Sequence, residues 1–137
     1  MLKKLLLAVI IILTFLPAIS SSLQLEDYEK GEIAGALGFG AMTLDAYYEI
    51  CYSNGTRTDN HLNGINKLLK DKWNLAYSEI VVEQEKLSGR DFRKEAHTLV
   101  GAVVKKNGSC KSEGMKQWFR KLQEIHENNL WKLNSAE

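Results

Sequence analysis

The two cysteines are the residues whose type and spacing most clearly permit covalent chemistry in this chain. Cys51 lies in YYEICYSNGT and Cys110 in KKNGSCKSEG, and the chain contains no third cysteine. In an oxidising compartment, such a pair is expected to form one disulfide. In the chain-entropy description, a bridge across so long a loop removes about 4 kcal/mol of unfolded-state entropy. A pair of free thiols is the alternative.

An Asn-Gly-Ser/Thr triplet accompanies each cysteine. Asn54-Gly55-Thr56 and Asn107-Gly108-Ser109 match the acceptor triplet for N-glycosylation. Asn-Gly is also a favoured turn pair, and in a bacterial protein, which the short Lys-Lys start of the chain favours, each triplet would be a turn. The sequence leaves both interpretations open.

The three histidines predict neither a metal site nor a haem site. His61, His97 and His126 form no H-E-x-x-H, no C-x-x-C-H and no structural-zinc pattern. A helical projection places His126 among apolar residues, which favours a buried, hydrogen-bonded histidine. A haem- or metal-binding bundle is the weaker alternative, so we expect no cofactor.

The acidic residues do not single out a catalytic pair. Carboxylate catalysis needs two acids in one cleft, with environments that separate their pKa values, and the chain has 17 acids to choose from. Glu79, Glu83 and Glu85 are expected to lie mostly on a solvated helix face. No G-x-S-x-G, P-loop or glycine-rich dinucleotide motif is present. We expect a protein that is not an enzyme, with a small helical cell-wall glycan hydrolase as the alternative.

Two groups of residues are candidates for docking a partner. On the last predicted helix, Trp118 lies at the edge of the apolar side and Trp131 lies almost opposite that side. Exposed tryptophans are enriched at binding surfaces. The first predicted helix carries small residues on one side, where each glycine costs about 1 kcal/mol relative to alanine. Small residues let helices pack closely in membranes, and by analogy these small residues suggest that another backbone approaches the first helix closely. The simplest interpretation is that a helix of the same bundle packs against them. This second group comprises Gly31, Gly35, Gly38 and Met42.

Four segments with helical periodicity must position these residues. The first is predicted over residues 29–52, and its stretch IAGALGFGAMTL carries no charge, so burial on more than one side is expected. The second is capped by Asp59 or Asn60 and runs to about Leu87, either unbroken or with a break near residues 78–82. The third spans about residues 90–105. The fourth is capped by Ser112 and runs to about Leu133.

Four helices with short connections favour a small antiparallel four-helix bundle. In that topology the end of the first helix and the start of the fourth lie at the same end, where Cys51 and Cys110 would meet. The only proline is Pro17, so no proline interrupts a predicted helix. The predicted fold is all-α, stapled by one disulfide.

The first 20 residues have the pattern of a secretory signal peptide. Lys3 and Lys4 precede an uncharged apolar run that ends at Leu16, and small residues follow Pro17. The run is short for a membrane span, which needs about 20 apolar residues, although a retained anchor is the alternative. Cleavage after residue 20 would leave residues 21–137 as a single exported helical domain, periplasmic or secreted, without a stable membrane span.

The charge of the chain gives no indication of a nucleic-acid partner, and other features favour a protein partner. With 18 basic and 17 acidic residues the net charge is +1, so nothing indicates nucleic acid. Size, export and the lack of a catalytic motif favour a binding or inhibitor protein. Its partner would be another protein of the cell envelope or a second copy of the chain. An immunity-type protein that blocks a cell-wall hydrolase is the concrete form of this hypothesis.

Overall fold

The structure, a computed structural model of the chain, describes residues 28–136. By packing, the chain divides into two units, Met1–Glu32 and Ile33–Glu137. In the described part of the first unit, residues 28–32 are helical, and a hydrogen bond with Glu32 raises the pKa of Tyr28. The predicted signal peptide, residues 1–20, lies outside the described residues. Within them, no helix has both the length and the hydropathy needed to cross a bilayer.

Five helices make up the described part of the chain, and it contains no strand. They are α1 over residues 28–51, α2 at Asn60–Trp73, α3 at Tyr77–Ser88, α4 at Phe92–Asn107 and α5 at Glu113–Ser135. The all-α prediction is confirmed. The predicted count of four helices is wrong, because the second predicted segment consists of two helices.

The break between α2 and α3 comes at residues 74–76, earlier than the predicted alternative. Asn74 adopts the left-handed conformation, with a φ of 52°, and its N–H donates to the carbonyl of Lys70 at 3.0 Å. Tyr77, the first residue of α3, is then buried against Gly38 of α1, where a Cβ atom would lie 1.8 Å from Cζ of the tyrosine. Burial and the nearby Glu85 carboxylate raise the pKa of Tyr77 to about 12. The missing side chain at Gly38 therefore makes the space that Tyr77 fills.

Two groups of buried apolar residues form the core, and each is named here after a residue of α5. The Leu133 cluster comprises Ala34, Leu37, Ala41, Met42, Ile65, Leu69, Tyr77, Ala96 and Leu133. The smaller Met115 cluster comprises Ala46, Tyr47, Val100 and Met115. Helix α5 therefore contributes Met115, in its first turn, to the Met115 cluster and Leu133, in its last turn, to the Leu133 cluster.

Helices α1 and α5 contact each other at two positions that show their relative direction. The ring of Tyr47 stacks on Phe119 with centroids 4.0 Å apart. About two turns earlier in α1, Gly40 lies against His126. Positions that come later in α1 thus contact positions that come earlier in α5.

Three large apolar side chains that helical periodicity would place on the inward faces are exposed, namely Leu87, Leu99 and Ile125. Leu87 lies in the last turn of α3, and the break at residues 74–76 ends the periodicity that runs through α2. Leu99 and Ile125 lie at the edges of the apolar stripes of α4 and α5.

Candidate functional site

The predicted disulfide is present. Cys51 is the last residue of α1, and Cys110 lies in the turn between α4 and α5; their Cα atoms are 5.5 Å apart and 59 residues separate them in sequence. The bridge therefore joins the end of α1 to the segment that leads into α5.

Asp45 is a buried acid that holds the start of α2. Its carboxylate accepts the backbone N–H groups of His61 and Leu62, both at 3.0 Å, and it lies 2.8 Å from Nδ1 of His61. A carboxylate only accepts, so Nδ1 of His61 carries the donated proton. Asp59 is the residue at the N-cap position, as one predicted alternative had it, but its side chain makes no capping bond. The helix is capped from α1 instead.

Glu49 is a second buried acid, one turn after Asp45. Its Oε1 atom accepts the backbone N–H of Thr58 at 2.8 Å and pairs with the guanidinium of Arg93 in α4. Arg93 also pairs with Asp59 and donates to the carbonyl of Thr58 at 3.0 Å. We call Glu49, Thr58, Asp59 and Arg93 the Arg93 network. It ties α1, the loop before α2 and α4 to one another.

The chemistry open to these acids is limited by the bonds that they already make. Asp45 and Glu49 each accept several protein donors, and a buried charge requires such partners to be stable. In the described part of the chain, no group of three or more His, Cys, Asp or Glu residues could hold a metal ion. The geometry is that of a structural cluster which positions helices.

Sequence reasoning missed both buried acids. They follow directly on the uncharged stretch of α1, and a charge on a helix that is buried on more than one side needs a partner. That signal was available for Asp45 and Glu49. The identity of their partners was not, because His61 and Arg93 reach them only through the tertiary fold.

His126 is buried, as predicted, but it is not hydrogen-bonded in the expected way. Its side chain is 9% exposed, and its Nδ1 atom is buried without a hydrogen-bond partner among the described residues. A Cβ atom on Gly40 would lie 2.9 Å from that nitrogen. Burial lowers the pKa of His126, the nearby His61 lowers it further, and Glu127 opposes both effects.

The predicted docking side of α1 does not form one surface. Met42 is buried in the Leu133 cluster, and Gly38 is covered by the ring of Tyr77. Among the described residues, no packing neighbour lies within 4 Å of where a side chain on Gly35 or Gly31 would be. Within that part of the chain, the expectation that a helix of the same bundle packs on these glycines is met at Gly38.

The two predicted docking tryptophans differ in exposure. Trp118 is half-buried and packs against the Met115 cluster. Trp131 is 70% exposed, in agreement with its predicted position opposite the apolar side of α5. Of the predicted aromatic residues, Trp131 is therefore the one available to a partner.

Both Asn-Gly pairs lie where the chain turns. Asn54 and Gly55 have positive φ angles of 49° and 80° in the loop after α1, and Asn54 is exposed. Asn107 ends α4, with its side-chain amide donating to the carbonyl of Val103 at 2.9 Å, and Gly108 follows with a φ of 84°.

No family model matches the chain, and no curated protein and no solved structure matches it. The functional conclusion therefore depends on the geometry above.

Proposed function

We propose that this protein is a small exported binding or inhibitor protein that is not an enzyme, acting on another protein of the cell envelope. An immunity-type protein that blocks a cell-wall hydrolase is its concrete form. The observation that carries the proposal is the exposure of Trp131, 70% of whose surface is open, on a helix that is otherwise anchored in the core. Large aromatic side chains of this kind supply much of the binding energy at protein interfaces.

The buried polar residues support a role without catalysis. Both oxygen atoms of Asp45 and the Oε1 atom of Glu49 are occupied by protein donors on α2, its preceding loop and α4, and Oε2 of Glu49 lies 3.8 Å from Nε2 of His97. Of the three glutamates considered as catalytic acids on α3, Glu79 and Glu83 are exposed, whereas Glu85 is half-buried and accepts the backbone N–H of Phe92 at 3.0 Å. Glu79 and Glu83 line one surface pocket, but paired-carboxylate catalysis also needs environments that separate the two pKa values, and neither side chain is buried.

The disulfide supports export, because bridges of this kind persist in oxidising compartments such as the periplasm. We further propose that the helices run antiparallel, as in an up-and-down bundle in which α2 and α3 together take the place of one helix. The reversed order of the contacts between α1 and α5, Tyr47 with Phe119 and Gly40 with His126, supports this arrangement.

The proposal is tested with the purified, oxidised protein and a panel of cell-wall hydrolases that includes a muramidase, an amidase and an endopeptidase. The measurement is the rate at which each enzyme lowers the turbidity of a peptidoglycan suspension. We expect near-stoichiometric inhibition of at least one enzyme. Trp131→Ala should weaken that inhibition at least about tenfold.

Leu87→Ala is the matched control, since Leu87 is an exposed large apolar residue on a different helix. It should leave the inhibition unchanged, and both variants should keep the unfolding midpoint of the unaltered protein. Failure to inhibit any class of enzyme would reject the immunity-type form. Clearing of peptidoglycan by the protein alone would establish the hydrolase alternative instead. Concentration-dependent mass in sedimentation would identify a second copy of the chain as the partner.

A further inference from the structure

Helix α5 is fixed covalently near its beginning, whereas its end is held by burial and by one exposed hydrogen bond, in which Nζ of Lys72 in α2 donates to the carbonyl of Asn134 at 3.0 Å. Cys110 lies three residues before Glu113, the first residue of α5, and is bonded to Cys51 of α1. Met115 then belongs to the Met115 cluster, whereas Leu133 belongs to the Leu133 cluster. His126 lies between these two anchor points. A change at His126 would therefore act on the last turns of α5 without releasing its first turns.

The surroundings of His126 accept an imidazole only when it is neutral. The ring lies against Gly40 of α1, which offers no side chain to pair with it, and its Nδ1 atom is buried without a partner among the described residues. A protonated imidazole has two N–H donors, and a buried charge without acceptors is strongly unfavourable.

The charged groups that act on His126 do not offset this cost. From α2 comes His61, which disfavours protonation of His126, and from α5 itself comes Glu127, which favours it. Glu127 is exposed, so solvent screens it, whereas Asp45 of α1 is already bonded to His61. Burial and His61 together lower the pKa of His126.

We propose that His126 is a proton-controlled latch, whose protonation releases residues 126–135 of α5 from α1 while the disulfide keeps the beginning of α5 in place. The switch follows from the fold and does not depend on the proposed partner. Trp131 lies on the released segment, so acid would also alter the candidate docking residue. That consequence, unlike the latch, rests on the proposed function.

The direction of the pH effect follows from linkage. In the open form His126 has its ordinary pKa of about 6.5, and in the closed form a lower one. Above the ordinary pKa both forms are neutral and the closed form keeps its full stability. As the pH falls between the two pKa values, the open form binds a proton that the closed form does not. The opening equilibrium constant then rises by up to about tenfold per pH unit.

Amide hydrogen exchange on the full, oxidised protein tests the latch between pH 7.5 and pH 5.5, after correction for the intrinsic pH dependence of exchange. We expect the protection of residues 126–135 to fall several-fold, while residues 113–122 keep theirs. In His126→Gln the protection of both segments should be independent of pH. His97→Gln is the matched control, because His97 is 52% exposed, and it should lose protection as the unaltered protein does.

Equal protection of residues 126–135 at both pH values in the unaltered protein would overturn the proposal, and so would a loss that persists in His126→Gln. Should His126→Gln fail to fold, an NMR titration of the unaltered protein decides. Titration of His126 below the ordinary pKa, together with loss of protection over residues 126–135, supports the latch. Titration at the ordinary pKa without such loss refutes it. Neither readout involves a hydrolase, so failure of the proposed function leaves this test intact.

Discussion

The two core clusters are held together by different means. The Met115 cluster contains few buried residues, but the Cys51–Cys110 bridge and the stacked pair of Tyr47 and Phe119 lie beside it. The Arg93 network links Glu49 of α1 to the start of α4, where Phe92 packs against the Leu133 cluster. The Leu133 cluster draws residues from all five helices, and the described residues place neither a disulfide nor a buried ion pair among its members.

The difference shows that different interactions stabilise the two clusters of this small domain. Burying one large aliphatic or aromatic side chain contributes about 1.5–3 kcal/mol, so a cluster with few members gains little from burial alone. The disulfide compensates at the Met115 end. The Leu133 end depends on close packing, of which the Gly38–Tyr77 contact is an example.

The largest expected effect comes from breaking the covalent link. The double change Cys51→Ser with Cys110→Ser should lower the free energy of unfolding by about 4 kcal/mol, because the unfolded chain regains the entropy of a loop of 59 residues. Urea denaturation followed by circular dichroism measures it. The reduced unaltered protein is the control and should match the double variant. Equal midpoints with and without reductant would show that the bridge does not stabilise the fold.

The second effect concerns the charged link between Glu49 of α1 and Arg93 at the start of α4. Arg93→Met should lower the free energy of unfolding by about 3 kcal/mol, since it leaves Glu49 buried without its cation. Urea denaturation again supplies the measurement.

Arg90→Met is the matched control for this change. Arg90 bonds to Glu95 through two nitrogen atoms, at 2.8 and 2.6 Å, but both side chains are exposed. Exposed pairs contribute little to stability, so the midpoint should shift slightly if at all. A loss as large as that of Arg93→Met would mean that burial does not distinguish the two pairs.

The sequence predicted what local patterns determine. Periodicity gave the all-α class, the Ser112 cap was correct, with its hydroxyl accepting the N–H of Met115 at 3.2 Å, and the two cysteines are bridged. These features depend on residues close in sequence or on the only available pairing.

The features that escaped prediction depend on residues distant in sequence. The break at residues 74–76 fits the insertion of Tyr77 beside Gly38, and the cap of α2 comes from Asp45, 16 residues before His61. The partner of Glu49 is Arg93, on a different helix. Periodicity along one helix contains no information about which residue of another helix lies opposite.

The smallest expected effect tests packing at the Leu133 cluster. Alanine substitution should change the free energy of unfolding in opposite directions at two glycines of α1. Gly38→Ala should cost about 2 kcal/mol, because its Cβ atom would lie 1.8 Å from the Tyr77 ring and a packed ring cannot move without cost. Gly35→Ala should instead stabilise the protein by about 1 kcal/mol, since open space surrounds that position and alanine is the better helix former.

Urea denaturation of Gly38→Ala in a Tyr77→Ala background separates packing from helix propensity. With the ring removed, the same alanine should no longer destabilise the protein, and the difference between the two backgrounds is the coupling energy of the contact. Equal costs in both backgrounds would show that the ring is not the cause. The Leu133 cluster would then tolerate added volume at Gly38, and its stability could not be ascribed to close packing there.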